Sequence, residues 1–267
     1  MKIPLLLKLL TSTVFVLSIV SGVFTQTDSD RAGWIASKID ESKLTDVDSN
    51  SGILRFNFGP LWTRVSDNDS VLGYTGDNYQ RLRVVIISAK KRANSPDTYD
   101  VVGKSMVKNV VRGFTGTIKI TKATSTAASE LEEDYKSEPI REAGVVYGEY
   151  HFAEDAKQTN TGKFDGVFVT DWIVDKNGRL QYDEVLMGAD GYTNNQFLGT
   201  WTSYRTKTGK PASWGDSRIP LSGNLDIGAG EFSPDDKYVA NGWQSYRDAY
   251  ANQNKRALME ERRQWWK

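Results

Sequence analysis

The chain contains 267 residues, with 34 basic and 34 acidic side chains, one histidine and no cysteine. The balanced charge argues against a whole-protein basic field that would collect nucleic acid, and the lack of cysteine excludes disulfides and thiolate-bound zinc. The length is sufficient for one large domain that is stabilised by its own hydrophobic core.

Residues 1–25 have the layout of a secretory signal peptide. Lys2 and Lys8 come before an apolar stretch over residues 9–24, and polar residues follow from Gln26 onward. The alternative is an N-terminal membrane anchor, but the most apolar part is shorter than the roughly 18 to 20 residues that span a bilayer. We therefore predict a cleaved signal, a secreted, periplasmic or cell-envelope protein, and no membrane span after cleavage. Loss of the two lysines leaves 32 basic against 34 acidic residues, a net charge of −2.

Residues 26–105 form a predicted N-terminal segment whose strands pack on the main sheet. Its predicted elements are a short helix over residues 32–42 and strands over residues 53–58, 81–88 and 99–105. The helix would present Trp34, Ile35 and Ile39, whereas Gly59 and Pro60 would end the first strand. The run over 81–88 is rich in β-branched residues, which favours a buried strand.

The sequence contains four copies of a pattern in which a glycine lies two residues after one bulky apolar residue and two residues before another. The four copies are Phe114, Gly116 and Ile118; Val146, Gly148 and Tyr150; Phe164, Gly166 and Phe168; and Phe197, Gly199 and Trp201. Alternate residues of a strand share one face, so each copy places large, small and large side chains along a single surface. Glycine weakens a strand, and its recurrence indicates bending or an aromatic ring over the bare backbone. We therefore predict an all-β fold, an antiparallel curved meander or barrel, over residues 106–232.

Paired strands are predicted on both sides of a tight turn within this region. Asn177 and Gly178 accept the positive φ angles that hairpin turns need. Further along, residues 214–220 read as an irregular loop and residues 225–232 as a bulged last strand that closes the sheet.

Residues 233–267 are predicted to form C-terminal helices. Ser233 is a predicted helix cap, Gly242 ends that short helix, and a second helix follows from Trp243 to the end of the chain. An aromatic and basic tail of this kind can lie on a membrane or a partner. We favour docking on the domain's own sheet, because Glu260 and Glu261 dilute the basic face.

No catalytic, metal or cofactor residue is assigned. His151 is the single histidine, and neither a nucleophile elbow nor a phosphate-binding loop accompanies it; Gly228 and Gly230 are isolated. Carboxylates are dense in the patterned region, so two of them could serve as the acid and base of a glycoside hydrolase. The candidates are Glu149, Glu154, Asp155, Asp165, Asp171, Asp183, Glu184, Asp190, Asp216, Asp226 and Glu231.

The Gly199-x-Trp201 core of the strand that begins at Phe197 resembles the opening-strand signature of calycin-type β-barrels such as lipocalins and avidins. The motif lies late in this chain, whereas lipocalins carry it near the start, and the lipocalin cysteines are absent. The resemblance implies a closed barrel whose inner face binds a small apolar or aromatic compound. It carries no binding residue over to this chain.

The leading hypothesis is an exported, non-enzymatic β-domain that binds a small apolar or aromatic ligand or has a structural role at the cell envelope. Tyr150, Phe168, Trp172 and Trp201 are the predicted ligand-lining residues, with core filling as the alternative role for each. A carbohydrate-binding module remains open and would expose Trp62, Trp172 or Trp214 as a planar row. A glycoside hydrolase with paired carboxylates is the other alternative.

Overall fold

The computed structural model describes residues 28–42, 44–47, 52–64 and 71–267, so the predicted signal peptide over residues 1–25 lies outside the described residues. The described chain consists mainly of antiparallel strands. They are β1 (Thr45–Asp46), β2 (Val71–Thr75), β3 (Gln80–Arg92), β4 (Ser95–Val107), β5 (Val110–Ala127), β6 (Ile140–Glu154), β7 (Gly162–Asp175), β8 (Leu180–Tyr182), β9 (Asn194–Ser203) and β10 (Gly209–Asp216). Five α-helices accompany these strands within the described ranges. They are α1 (Asp28–Ser42), α2 (Gly59–Trp62), α3 (Glu133–Ser137), α4 (Gln244–Tyr250) and α5 (Lys255–Glu261).

Eight of the strands close into a ring. The pairing order is β5-β4-β3-β2-β10-β9-β7-β6, and β6 pairs back with β5 over residues 142–154. All of these pairings are antiparallel, and β1 and β8 extend the sheet beside β5 and β7. The predicted curved antiparallel sheet is therefore confirmed, and it is closed. Strands from residues 71–107 belong to the same ring as the later strands.

The repeated glycines lie in strands and face the interior, as the sequence pattern predicted. Gly166 and Gly199 are directly opposite each other in β7 and β9, and the hydroxyl of Tyr150 lies over both. A Cβ at Gly199 would come within 2.3 Å of that hydroxyl oxygen. Glycine here allows a large ring to fit inside a narrow, strongly bent sheet.

Aromatic side chains fill the centre of the ring. Tyr150 packs against Phe152, Phe197 and Trp214 with ring centroids 5.0, 5.4 and 5.2 Å apart. Such tilted and edge-to-face contacts add to the stabilisation that comes from burial alone. The middle of the closed sheet is consequently a packed core rather than an open channel.

The strand predicted over residues 53–58 is wrong. The chain forms a 3-10 helix at Ile53–Arg55 and then α2, in which Pro60 occupies the first turn. Trp62 of α2 enters the interior and meets Tyr99 and Phe168 edge-on, at centroid distances of 4.9 and 5.5 Å. A closed ring offers this apolar segment no strand edge to pair with, so it packs by its side chains.

Helix α1 is confirmed at the predicted place and covers part of the outer surface. Its residues Trp34, Ile35 and Ile39 pack against a small external cluster that includes Tyr147 and Leu198. The strand side chains of this cluster are apolar although they point away from the interior of the ring. Helix α1 therefore removes from water the apolar outer face of β6, β7 and β9.

Two predictions about the end of the sheet are wrong. Trp214 is not in an irregular loop but in β10, and residues 225–232 form no strand. The ring is closed by β10, which pairs with β2 in a register that places Ala212 opposite Thr75. Pro211 and Gly215 interrupt the apolar alternation of β10, which explains why its sequence did not resemble a strand.

The C-terminal region docks on the outside of the ring. A 3-10 helix at Asp236–Asn241 is capped by Asp235 rather than by the predicted Ser233, and it ends at Gly242, whose φ is +98°. The single long helix predicted after it is instead two short ones, α4 and α5. None of the helices in the described ranges has the length and apolar character needed to span a bilayer.

Two contacts attach this region to the strands. Glu261 of α5 forms ion pairs with Arg81 and Arg83 of β3, and all three side chains are nearly inaccessible to solvent. Trp265 and Trp266 pack on the outer face of the ring beside Val85 and Met106. The expected docking of the C-terminal aromatics on the domain's own sheet is confirmed.

Candidate functional site

Four turns surround one end of the ring and open into a cavity of about 270 Å³. They are residues 76–79, 108–109, 155–161 and 204–208, which connect β2 to β3, β4 to β5, β6 to β7 and β9 to β10. Alternate connections in an antiparallel sheet lie at the same end, so the topology brings these distant segments together. We call this end the mouth.

The walls of the mouth cavity are mostly apolar. Leu82 and Phe164 lie deep in it and are almost fully buried, whereas Val107, Val110 and Trp201 line its upper part. All five residues are at inward-facing positions of their strands or next to the turn between β4 and β5. A cavity with this lining favours an apolar molecule, because burial of its surface releases water from both partners.

A carboxylate forms the polar part of the floor. Glu154 is buried, and it accepts hydrogen bonds from Ser105 Oγ (2.8 Å), the Gly162 backbone N–H (2.9 Å) and Trp201 Nε1 (3.1 Å). Charge-assisted bonds of this kind are stronger than neutral ones, so they hold the Trp201 indole in place. Gly162 allows this arrangement, since a Cβ there would lie 2.7 Å from the Trp201 ring.

Three basic side chains of the described residues also line the mouth cavity. Arg112 donates to the backbone carbonyls of Val111 (3.2 Å) and Thr159 (3.1 Å), and the second bond attaches the 155–161 turn to β5. Lys108 and Lys210 have no carboxylate within ion-pair distance among the described residues. The mouth therefore combines an apolar wall with two ammonium groups that no carboxylate of the described ranges contacts.

Of the four predicted ligand-lining residues, Trp201 is the one that lines this cavity. Tyr150, Phe168 and Trp172 are fully buried in the packed interior, below the mouth. Glu154 was predicted as a candidate hydrolase carboxylate and not as a ligand-lining residue, although a signal for its inward position was present. Glu154 follows Phe152 by two residues, so it continues the inward-facing series of β6 as a polar member.

The opposite end of the ring contains a smaller and more polar space of about 40 Å³. Trp62 Nε1 donates to Thr170 Oγ1 (2.9 Å), and Asn195 and Tyr182 donate to the same Asp216 oxygen at 3.1 and 2.6 Å. Burial and the nearby Asp216 charge raise the pKa of Tyr182, so its hydroxyl stays protonated as a donor. A volume of this size accommodates about one water molecule, which makes this end part of the structural core.

The candidate carboxylates are spread over the molecule, and two of them interact. Burial, and then the charge of Asp183, raise the pKa of Asp171 to about 7. Asp183 itself accepts hydrogen bonds from Tyr135 Oη (2.7 Å) and the Val185 N–H (3.0 Å). Asp171 is at an outward-facing position of β7, and neither carboxylate lines the mouth cavity.

His151 lies on the outer surface with a neighbouring carboxylate. Its Nδ1 is 2.9 Å from Asp165 Oδ1, and Lys163 contacts the other oxygen of that carboxylate. The imidazole is largely exposed. Within the described part of the chain, no group of three or more histidine and acidic residues could hold a metal ion.

The tryptophans named for glycan stacking are inside the protein. Trp62, Trp172 and Trp214 are 5 % exposed or less, and all three belong to the interior cluster. Stacking on a sugar requires an accessible ring face, so these three residues form no planar row on the surface.

Comparison of the chain with known protein families, with curated proteins and with solved structures gives no significant match.

Proposed function

We propose that this protein binds a small, largely apolar molecule in the mouth cavity and acts as an exported binding protein at the cell envelope or outside the cell. The observation that carries the proposal is the cavity itself, with apolar walls and a Trp201 indole held by buried Glu154. Export is supported by the signal-like pattern of residues 1–25. A calycin-like mode of binding is supported by the closed ring and by the mouth cavity at one end of it.

The architecture favours a ligand at the mouth over one at the centre of the ring. The interior below the cavity is filled by packed aromatic rings, among them Tyr150 and Phe168. The walls of the mouth belong to hydrogen-bonded strands, so the cavity is largely formed before a ligand arrives. Little ordering is then needed on binding, which preserves affinity.

The expected affinity is moderate. A ligand that buries about 250 Å² of apolar surface gains about 6 kcal/mol at ~25 cal/mol per Å². Loss of translational and rotational freedom offsets part of this gain, so the expected dissociation constant is some tens of micromolar or higher. Contacts of the ligand with Glu154 or its donors would add to the binding free energy and lower the dissociation constant.

Occlusion of the mouth tests the proposal. Val110 lines the cavity and is 48 % exposed, whereas Val102 in β4 is 47 % exposed and faces outward. We expect Val110→Trp to weaken binding of the neutral fluorescent probe N-phenyl-1-naphthylamine at least tenfold. The matched variant Val102→Trp should bind the probe like the native protein.

The result is read from the fluorescence increase of the probe during titration, with unchanged thermal unfolding as the check on folding. Native mass spectrometry of the purified protein should also detect a carried apolar molecule that is lost in Val110→Trp. Equal probe binding by both tryptophan variants, or no binding by the native protein, would rule out the mouth as the ligand site.

A further inference from the structure

We infer that the ligand of the mouth cavity carries an anionic group, which Lys108 and Lys210 bind at the rim while its apolar part lies against Leu82, Phe164 and Trp201. This inference rests on the proposed function and specifies its ligand class as a small anionic amphiphile.

The position of Lys210 shows why a cation projects into the mouth. Lys210 is two residues before Ala212, a fully buried inward-facing residue of β10. Alternate residues share a face, so Lys210 continues the inner wall above the apolar band. Arg112 is placed in the same way two residues before Phe114 in β5. Both side chains therefore line the cavity, and Lys210 is also exposed to solvent.

The charges that line the cavity do not cancel. Among the described lining residues, three are basic and Glu154 is the one carboxylate, which leaves a formal charge of +2. Ser105, Gly162 and Trp201 already donate to the oxygens of Glu154, and Arg112 is engaged with two backbone carbonyls. Lys108 and Lys210 are the groups that remain available to an anion.

The turns around the mouth add to the positive potential. They contain Lys108, Lys157, Arg205 and Lys207, against Asp77 and Asp155. The connection from β5 to β6, at the opposite end of the ring, has the reverse sign. Its residues 128–139 include five acidic side chains and one lysine. A charge distribution of this kind attracts anions to the mouth and away from the other end.

The apolar wall strengthens the selection for an amphiphile over a simple anion. A free inorganic anion would keep its water and gain little from Leu82, Phe164 or Val110. An uncharged apolar molecule would leave the two ammonium groups without a partner. A molecule with both parts uses the whole lining, because its apolar part is buried against the wall while its head group lies beside the solvent-exposed ammonium groups of the rim.

Octanoate and 1-octanol are suitable probes because they share one chain length and differ in charge at pH 7.5. Without nearby cations a carboxylate binds an apolar cavity more weakly than an alcohol, because it is more costly to desolvate. We expect octanoate to displace N-phenyl-1-naphthylamine at a concentration at least tenfold lower than octanol does at low salt. This preference should shrink at 0.5 M NaCl, where charges are screened within a few ångströms.

Charge-removing variants assign the preference to particular residues. Lys210→Met keeps the aliphatic stem and removes the ammonium group, so combined with Lys108→Gln it should abolish the preference for octanoate. Binding of octanol should stay within about twofold of the native value. Lys157→Met is the control, because Lys157 lies in a turn of the same end but does not line the cavity. It should retain the preference.

The outcomes separate the inference from the proposed function. If octanol and octanoate displace the probe equally well and independently of salt, the anionic ligand class is overturned, while binding at the mouth still stands. If neither compound nor the probe binds the native protein, both proposals are overturned. A loss of preference in Lys157→Met equal to that in the double variant would also contradict the inference. The preference would then depend on the overall positive charge of the mouth and not on direct contact with Lys108 and Lys210.

Discussion

Replacement of Gly199 by alanine tests the central structural feature of this fold, the close approach of an aromatic ring to a bare strand. A Cβ at this position would lie 2.3 Å from the Tyr150 hydroxyl oxygen and 2.5 Å from the Asp165 carbonyl oxygen. Tyr150 is fully buried between Phe152, Phe197 and Trp214 and has no space to rotate away. We therefore expect Gly199→Ala to destabilise the protein strongly.

The magnitude follows from the cost of overpacking. Extra methyl groups in a well-packed core cost typically 1–3 kcal/mol, and the two short contacts put Gly199→Ala near the upper end, at about 3 kcal/mol. For a chain of this size each kcal/mol lowers the melting temperature by roughly 2–4 °C. The expected decrease in Tm is thus about 6–12 °C.

Tyr150→Phe separates the two contacts. The Tyr150 hydroxyl is buried and has no hydrogen-bond partner among the described residues, and burial raises its pKa. Its removal should be neutral or stabilise the protein by about 1 kcal/mol. In the Tyr150→Phe background Gly199→Ala should cost less, because the 2.3 Å contact is gone while the Asp165 contact remains. The double-mutant cycle should give a coupling above about 0.5 kcal/mol.

Urea unfolding provides the free energies, and Gly113→Ala is the matched control. Gly113 is an exposed residue of β5, and a Cβ there would meet no atom within 4 Å. Alanine at such a site is expected to be neutral or to stabilise by up to about 1 kcal/mol. If Gly199→Ala proved as harmless as Gly113→Ala, the ring could not lie over the strand as described, and the account of the bent sheet would be refuted.

Two further predictions concern the C-terminal region. Glu261→Gln should destabilise the protein by about 3–5 kcal/mol at pH 7, because it leaves the guanidiniums of Arg81 and Arg83 buried without their anion. Burial by itself would raise the pKa of Glu261, but the two arginines outweigh it and lower the pKa from 4.5 to about 2. A lowered native pKa stabilises the fold above pH 4.5, so urea titrations should show the free energy of unfolding fall between about pH 5 and 2 as this contribution is lost. An equally steep fall with pH in Glu261→Gln would contradict the assignment. Trp265→Ala should lower the unfolding free energy by about 3 kcal/mol, because the indole loses its packing on β3 and β4. A change below about 1 kcal/mol in urea unfolding would argue against that docking.

Local patterns in the sequence predicted most of the strands correctly. The period-two placement of Gly148, Gly166 and Gly199 between large residues indicated bent strands, and these strands were found. The turn at Gly178, whose φ is +80°, and the helix stop at Gly242 were also predicted, because both depend on a backbone conformation that glycine adopts readily. Each of these signals is contained within a few neighbouring residues.

The errors concern segments whose structure depends on distant partners. Residues 53–58 alternate like a strand, but their apolar side chains are used to fill the interior beside α2. Strand β10 contains Pro211 and Gly215, and it is a strand because β2 and β9 lie on its two sides. The end of the true closing strand, from Trp214, was therefore assigned to a loop, and residues 225–232 were taken for the closing strand.

The candidate site was predictable in part. Trp201 was selected as a large inward-facing residue, and it lines the mouth cavity. Glu154 and Lys210 are inward-facing by the same alternation, but nothing in the sequence shows that the ends of their strands meet. The predicted residue Tyr150 is instead in the filled centre, because the sequence does not reveal how much of the ring is occupied by packed rings.

The sequence by itself determined that this chain forms strongly bent antiparallel strands with one aromatic face, since side-chain alternation and glycine conformation are properties of a few consecutive residues. The tertiary structure decided that the sheet closes and that Glu154, Trp201, Lys108 and Lys210 gather at one end of it. That decision depends on the pairing of residues as far apart as Thr75 and Ala212. Such pairing is set by the packing of the whole core, and no local stretch of the sequence contains it.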